Sequence, residues 1–236
     1  MLHVEVEHLC GNKVEAIELS KTMNQIGKLA NKETVCIITN MDEPLGMSVG
    51  NNIEVIEAIN ALKGDMADDV KEVVLELGAY MMKLADMGEN IEENKKRILE
   101  NIKNRKAYNK FLELVKKQGG DISYIEDTNK FEKAKFKLEV KCGSDGYIEK
   151  INAKSVGEIS RFIGAGRIKK EDNIDQSVGI VLRKKVSNEV KKGDILCYVY
   201  ANNEELGNKA VLDLKNIYKI SDKKVDEPQI ILGIIE

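Results

Sequence analysis

Residues 39–52 read TNMDEPLGMSVGNN, and the fold turns on how this segment joins its neighbours. Immediately before it, residues 35–38 are VCII, four apolar residues with no alternation. Such a run suits a strand covered on both faces, as in a parallel sheet. Immediately after it, residues 52–63 (NIEVIEAINALK) read as a helix that stops at Gly64. The segment between is rich in asparagine and carries Pro44, Gly46 and Gly50. In α/β folds the crevice beyond the carboxyl ends of the strands is where ligands bind. A loop with this proline and these glycines can turn its backbone carbonyls inward, and Glu57 lies about one and a half turns into the next helix. Two readings stand side by side. Glu57 closes a site of carbonyl oxygens, which suits a hard cation, or the loop is merely tight and Glu57 is solvated.

Working outward, Leu2, Val4 and Val6 recur at period two and read as a short strand. Asn12 with Glu15 forms a capping-box pattern. Ala16, Leu19, Met23, Ile26 and Ala30 then follow at helical spacing, giving a helix over 14–30. Strand, helix, strand, loop and helix make an α/β unit. Residues 66–118 are helical throughout. One stripe holds Val70, Val73, Leu77, Met81 and Leu84. A second helix opens at Asn90 and Glu93, and a third carries Tyr108, Phe111, Leu112 and Val115 before Gly119-Gly120. Residues 121–135 turn polar and irregular. Beyond them FKLEVKC (136–142), the second half of CGSDGYIEKI, VGIVLRKKV, VKKGDILCYVYAN and the terminal IILGII read as strands, with a short helix over 155–163. The expected fold is α/β, then α+β: a partial mixed or parallel sheet with helices, followed by a β-rich C-terminal domain. The expected divisions are 1–120, a linker at 121–135, and 136–236.

Composition narrows the function classes. The chain has 236 residues, a net charge of -3, 33% charged and 42% hydrophobic residues. This is an ordinary globular balance, with no sign of nucleic-acid or membrane-surface binding. No apolar run approaches the roughly 18–20 residues that span a bilayer. MLHVEVEHLC lacks the regions of a signal peptide. Cys10, Cys36, Cys142 and Cys197 are far apart and read as free thiols of a cytoplasmic protein. His3 and His8 are the only histidines, which argues against zinc and against histidine acid–base chemistry. GAGR at 164–167 has Lys169 where a dinucleotide fingerprint needs glycine. VKKGD at 190–194 resembles the turn of biotinyl- and lipoyl-type barrels, but the simpler reading is a β-hairpin turning at Lys192-Gly193-Asp194. The residues alone show no catalytic constellation.

The run TNMDEPLGMSVGNNIEVIEAINALKG resembles the segment after a central strand in the pyrimidine-nucleoside phosphorylase and thymidine phosphorylase family. LGAYMMKLAD and FLELVKKQGGD continue the likeness. The stretch from DGYIEKINAKSVGEISRFIGAGRIKKEDN to SNEVKKGD is similar to that family's C-terminal domain. The resemblance covers roughly residues 12–236 and implies phosphorolysis: phosphate attacks C1′ of a pyrimidine nucleoside, releasing base and pentose 1-phosphate. It implies homodimers, and a potassium site to which Leu45 and Ser48 give backbone carbonyls and Glu57 a carboxylate oxygen.

The chain departs from the family in its first half. The Lys-His-Ser-Thr-Gly-Gly-type phosphate loop, the base-holding Arg and Ser-x-x-x-Lys, and the helical dimerisation domain are not in these 236 residues. The expectation is therefore a C-terminal half, inactive alone, with an incomplete potassium site. Nucleoside and phosphate would bind only with the complementary half. Loss of neighbouring strands would bare a strand edge and a face of helix 14–30. That favours self-association or pairing with the other half, with MLHVEVEHL as a makeshift edge strand. No nucleic acid or membrane is implied. A non-catalytic binding partner and a remnant without function are the other readings. Thymidine or uridine preference is not encoded here.

Overall fold

In the computed structural model, residues 2–5, 12–167 and 169–236 are described, the first four as backbone only. Val6 and the rest of 6–11 lie outside them. The chain folds into two compact units that alternate along the sequence. Residues 1–41, 62–109 and 229–236 form one, and 42–61 with 110–228 the other. This partition follows packing rather than chain order, unlike a division into 1–120 and 136–236.

The first unit is built on β2 (Cys36–Thr39), the central strand of three. β1 (Leu2–Glu5) pairs parallel to it, with Leu2 opposite Cys36. The terminal strand, β10 (Ile231–Ile235), pairs antiparallel on the other edge, with Ile235 opposite Cys36. The sheet is thus mixed. Every residue of β2 is buried. Ile38 packs with Ala16 of α1 (Lys13–Leu29), alongside Ile17, Leu19, Leu232 and Ile235. Ile37 and Val35 face the opposite way, against Tyr80, Leu77 and Leu84 of α3 (Asp68–Leu84). Two helical layers explain why VCII shows no alternation: neither side chain direction meets water. At the start of α1, Asn12 Oδ1 accepts the Glu15 N–H, and Asn12 Nδ2 donates to the Glu15 carboxylate. Asn90 likewise caps α4 (Ile91–Lys103) by accepting from Glu93 N–H. Asn94 is buried in α4, where its amide donates to the carbonyls of Ala79 and Gly88. Gly78 lets Ile98 approach α3 closely.

The second unit takes α2 (Asn52–Leu62) up to Ala61, the end of α5 (Lys106–Lys117), and the short α6 (Ser123–Glu126). The remainder is β-rich. One antiparallel sheet has the order β3–β6–β8–β4: β3 (Ser48–Gly50), β6 (Gly179–Leu182), β8 (Ile195–Ala201) and β4 (Phe136–Lys141). Another joins β7 (Glu189–Val190), β5 (Gly146–Lys150) and β9 (Lys219–Ser221). α7 (Ala153–Ser160) and α8 (Glu204–Ile217) close the core, with Val156, Ile159, Ala210 and Leu214 among Val140, Ile180 and Val199.

Four differences from the sequence reading stand out. Ser48–Gly50, read as loop, is a strand on β6, with Ser48 opposite Val181. α8 has no counterpart among the elements expected from sequence, because its buried stripe is small: Gly207, Ala210 and Leu214. A Cβ on Gly207 would collide with Leu138 and Ala201, so the helix must lie close on the sheet. The turn at Lys192-Gly193-Asp194 exists, with Gly193 at φ +94, but β7 and β8 flank it in different sheets and make no hairpin. IILGII belongs with β2, not with the β-rich region.

Candidate functional site

The segment that opened the reading is pinned by the helix it feeds. Glu57, one and a half turns into α2, turns its carboxylate back onto the loop. Oε1 accepts the Met47 N–H at 2.7 Å and Oε2 accepts the Ser48 N–H at 2.8 Å. Glu54, one turn earlier, accepts the Gly50 N–H at 2.7 Å. Carboxylates near a helix N-terminus are favoured by its dipole, and here they also satisfy loop donors. Desolvation raises the Glu54 carboxyl above its ordinary range, opposed by the Gly50 N–H and reinforced by the nearby Glu57 charge. Gly46, at φ +71, makes the bend that a side chain would resist. Glu57 is therefore not simply solvated, as the plainer reading of the loop had it.

The other end of the loop is held by residues far away in sequence. Lys185 Nζ donates to the Pro44 carbonyl at 2.7 Å, and Glu43 Oε2 accepts the Val186 N–H at 2.9 Å. Lys185 Nζ and Glu43 Oε1 are 3.8 Å apart, with side-chain exposures of only 15% and 10%. Ala153 N–H donates to the Asp42 carbonyl. Further along, Ser160 Oγ donates to the Val49 carbonyl, and Asn51 Nδ2 to that of Ala165. Sequence reasoning missed Glu43 and Lys185. No local pattern marks a lysine whose partner lies 141 positions away.

Leu45, Ser48 and Glu57, the three residues singled out for a cation, thus lie on one short segment and the helix that grips it. Leu45 is 44% exposed. In kind, two backbone carbonyls and a carboxylate fit a hard cation, and each Glu57 oxygen keeps a lone pair beyond the N–H it accepts. In number they fall short of the roughly six oxygens such an ion gathers, so these three residues do not by themselves complete a site. No cluster of three or more His, Cys, Asp or Glu suited to a metal occurs among the described residues. Near the joined ends of β4, β6 and β8, Asp175 accepts from Asn202 Nδ2 and from Ser177 N–H and Oγ. Burial raises this carboxyl, but the hydrogen bonds outweigh it and hold it below the ordinary aspartate range. No helix among the described residues is long and apolar enough to cross a membrane.

Residues 147–221, from within β5 to the end of β9, match the family described as pyrimidine nucleoside phosphorylase C-terminal domain. The chain as a whole resembles pyrimidine-nucleoside phosphorylases. It is 41% identical to that of Bacillus subtilis (strain 168) over 192 residues, 81% of this chain and 44% of the relative. It is 39% identical to that of Geobacillus stearothermophilus over 217 residues, 92% of this chain and 50% of the relative. To that of Staphylococcus epidermidis (strain ATCC 12228 / FDA PCI 1200) it is 39% identical over 221 residues, 94% of this chain and 51% of the relative. The chain spans about half the length of the curated relatives it matches.

Proposed function

We propose that these residues form one half of a cytoplasmic pyrimidine-nucleoside phosphorylase, a pentosyltransferase of nucleoside salvage. The reading rests on one observation above others. Identity of 39% to named phosphorylases runs through 92–94% of the chain, a span that takes in the pinned loop. In the reaction, a phosphate oxygen forms a bond to C1′ as the bond from C1′ to the base nitrogen breaks. The base leaves with the electron pair and takes up a proton, and pentose 1-phosphate remains. The chemistry asks for donors on phosphate and on the leaving base. The phosphate loop and base-holding residues lie outside these 236 residues. This half's part is to hold the loop at 42–48 in shape. Leu45 and Ser48 carbonyls and the Glu57 carboxylate would hold a potassium ion together with oxygens of the phosphate loop. When bound, that ion supplies fixed positive charge beside the phosphate site.

Partners follow from the same reading: the complementary half or a second copy. Val14, Ile26 and Leu29 of α1 are exposed by 67%, 53% and 87%, an apolar surface that a partner would cover.

The test is direct. The 236-residue chain with thymidine or uridine and phosphate should release no base above a buffer blank. Supplied with the phosphate-loop half of the Bacillus subtilis relative, it should form a complex and release base. Release by the chain alone overturns the need for the second half. A stable complex without release favours a non-catalytic scaffold instead.

A further inference from the structure

We infer that the first unit carries a second binding site, a cavity of about 410 Å³ at the N-terminal end of β2, whose polar groups suit a nucleoside monophosphate. The inference stands apart from the proposed function, because none of the cavity's residues belongs to the loop at 42–48 or to α2. Ligand cavities run from roughly 300 to 1,000 Å³ and combine apolar walls with a few placed polar groups.

The floor is Asn24 of α1, only 5% exposed. Asn24 Nδ2 donates to the Thr34 carbonyl at 2.8 Å, which leaves Oδ1 turned away from that carbonyl. Oδ1 meets no donor among the described residues, and it is not sealed in the core. A nearly buried acceptor without a donor is unfavourable, so the cavity asks for a ligand that brings one. Gly27 makes the arrangement possible. A Cβ there would strike Thr34 Oγ1 and press on the Lys32 carbonyl, so glycine lets residues 32–34 lie against the helix.

Asn31, at φ +53, reverses the chain after α1, and Lys28 and Lys32 both line the cavity. Neither makes an ion pair among the described residues. Lys83 does: its Nζ lies 2.8 Å from Glu236 Oε2. Glu33 is the remaining acid, so three lysines face two glutamates. The carbonyls of Ile26, Gly27 and Lys28, near the end of α1, are taken up by the N–H groups of Ala30, Asn31 and Lys32 and do not oppose an anion. Val35 and Leu84 supply an apolar wall. An acceptor on the floor, an apolar wall and spare cations call for a ligand with an N–H, a flat body and an anionic group. A nucleobase carried on a sugar phosphate has all three. A sugar phosphate alone lacks the flat body, and free phosphate lacks the N–H as well.

The test titrates the 236-residue chain with uridine 5′-monophosphate, followed by calorimetry and by amide chemical shifts. One saturable site is expected, with Kd on the order of 0.1 mM and shifts centred on residues 24–35 and 83–84. Uridine, ribose 5-phosphate and inorganic phosphate should each bind at least about tenfold more weakly. The nucleotide methylated at N3 of the base has no N–H there and should also lose about tenfold. Lys28 and Lys32 are exposed, so Lys28→Gln with Lys32→Gln should keep the fold and weaken binding by about tenfold, and added salt should weaken binding to the parent. No saturable binding up to about 10 mM overturns the site. So do shifts centred elsewhere, or inorganic phosphate binding as tightly as the nucleotide. Equal affinity for the N3-methylated nucleotide overturns the role of Asn24 Oδ1, and it needs no variant to fold. The readout is binding by this chain alone, so its failure leaves the phosphorolysis reading standing, and failure of phosphorolysis leaves this site standing.

Discussion

β2 and the segment that follows it are neighbours in sequence and opposites in what holds them. β2 is kept in place by apolar side chains on both faces and a strand on each edge. Residues 42–48 are kept in place by three charged side chains, Glu43, Glu57 and Lys185, each bonded to backbone. Apolar burial is non-directional and tolerates small shifts. Hydrogen bonds to charged groups fix direction. Stability resides in the first region, which carries the fold, and precision in the second, where charged hydrogen bonds set the shape of the loop.

The largest effect is expected at β2. Ile38 is fully buried against α1, so Ile38→Ala should cost about 2–5 kcal/mol of global stability. Urea unfolding should show a lower midpoint with little change in slope. A loss of under about 0.5 kcal/mol would mean that the cluster around Ala16 is not holding the strand.

A smaller and more local effect is expected at the loop. Glu57→Gln replaces one acceptor oxygen with a donor, so that either the Met47 or the Ser48 N–H loses its partner. The cost should be about 1 kcal/mol, read as faster exchange at those two amides and a drop in the unfolding midpoint smaller than that of Ile38→Ala. Equal loss of protection in β6 would show that Glu57 supports the fold rather than the loop.

The smallest effect concerns pH. Asp175 is held below the ordinary aspartate range by Asn202 and Ser177, against burial. A depressed carboxyl contributes stability that is present above its unfolded pKa, about 3.9, and is lost as pH falls through the lower folded value. Stability of the parent should therefore fall from about pH 4 downward more steeply than that of Asp175→Asn. Parallel acid-unfolding curves would show that the cluster at the ends of β4, β6 and β8 adds no acid sensitivity.

Much of this architecture was legible. Asn12 and Asn90 cap helices where their spacing to Glu15 and Glu93 said they would. Gly64 and Gly119 fall just past helix ends at φ +96 and +80. The α/β and then α+β order holds, with a mixed sheet. In the candidate site, the loop and the Glu57 carboxylate were visible as a combination, and the structure places them in contact. α8 is not legible in sequence because glycine and alanine, which it needs for close packing on β4 and β8, weaken the apolar signal.

What the sequence determined by itself is local. Caps, periodicity and the unbroken apolar run of β2 are each written within a few residues, since they rest on hydrogen bonds and side-chain directions inside one element. Tertiary structure alone decided that IILGII lies on β2, that Ser48–Gly50 is a strand on β6, and that Lys185 and Glu43 clasp the loop. Each of these pairs groups far apart in the chain. A strand or an ammonium advertises that it needs a partner, and only the closing of long loops around a packed core settles which partner it meets.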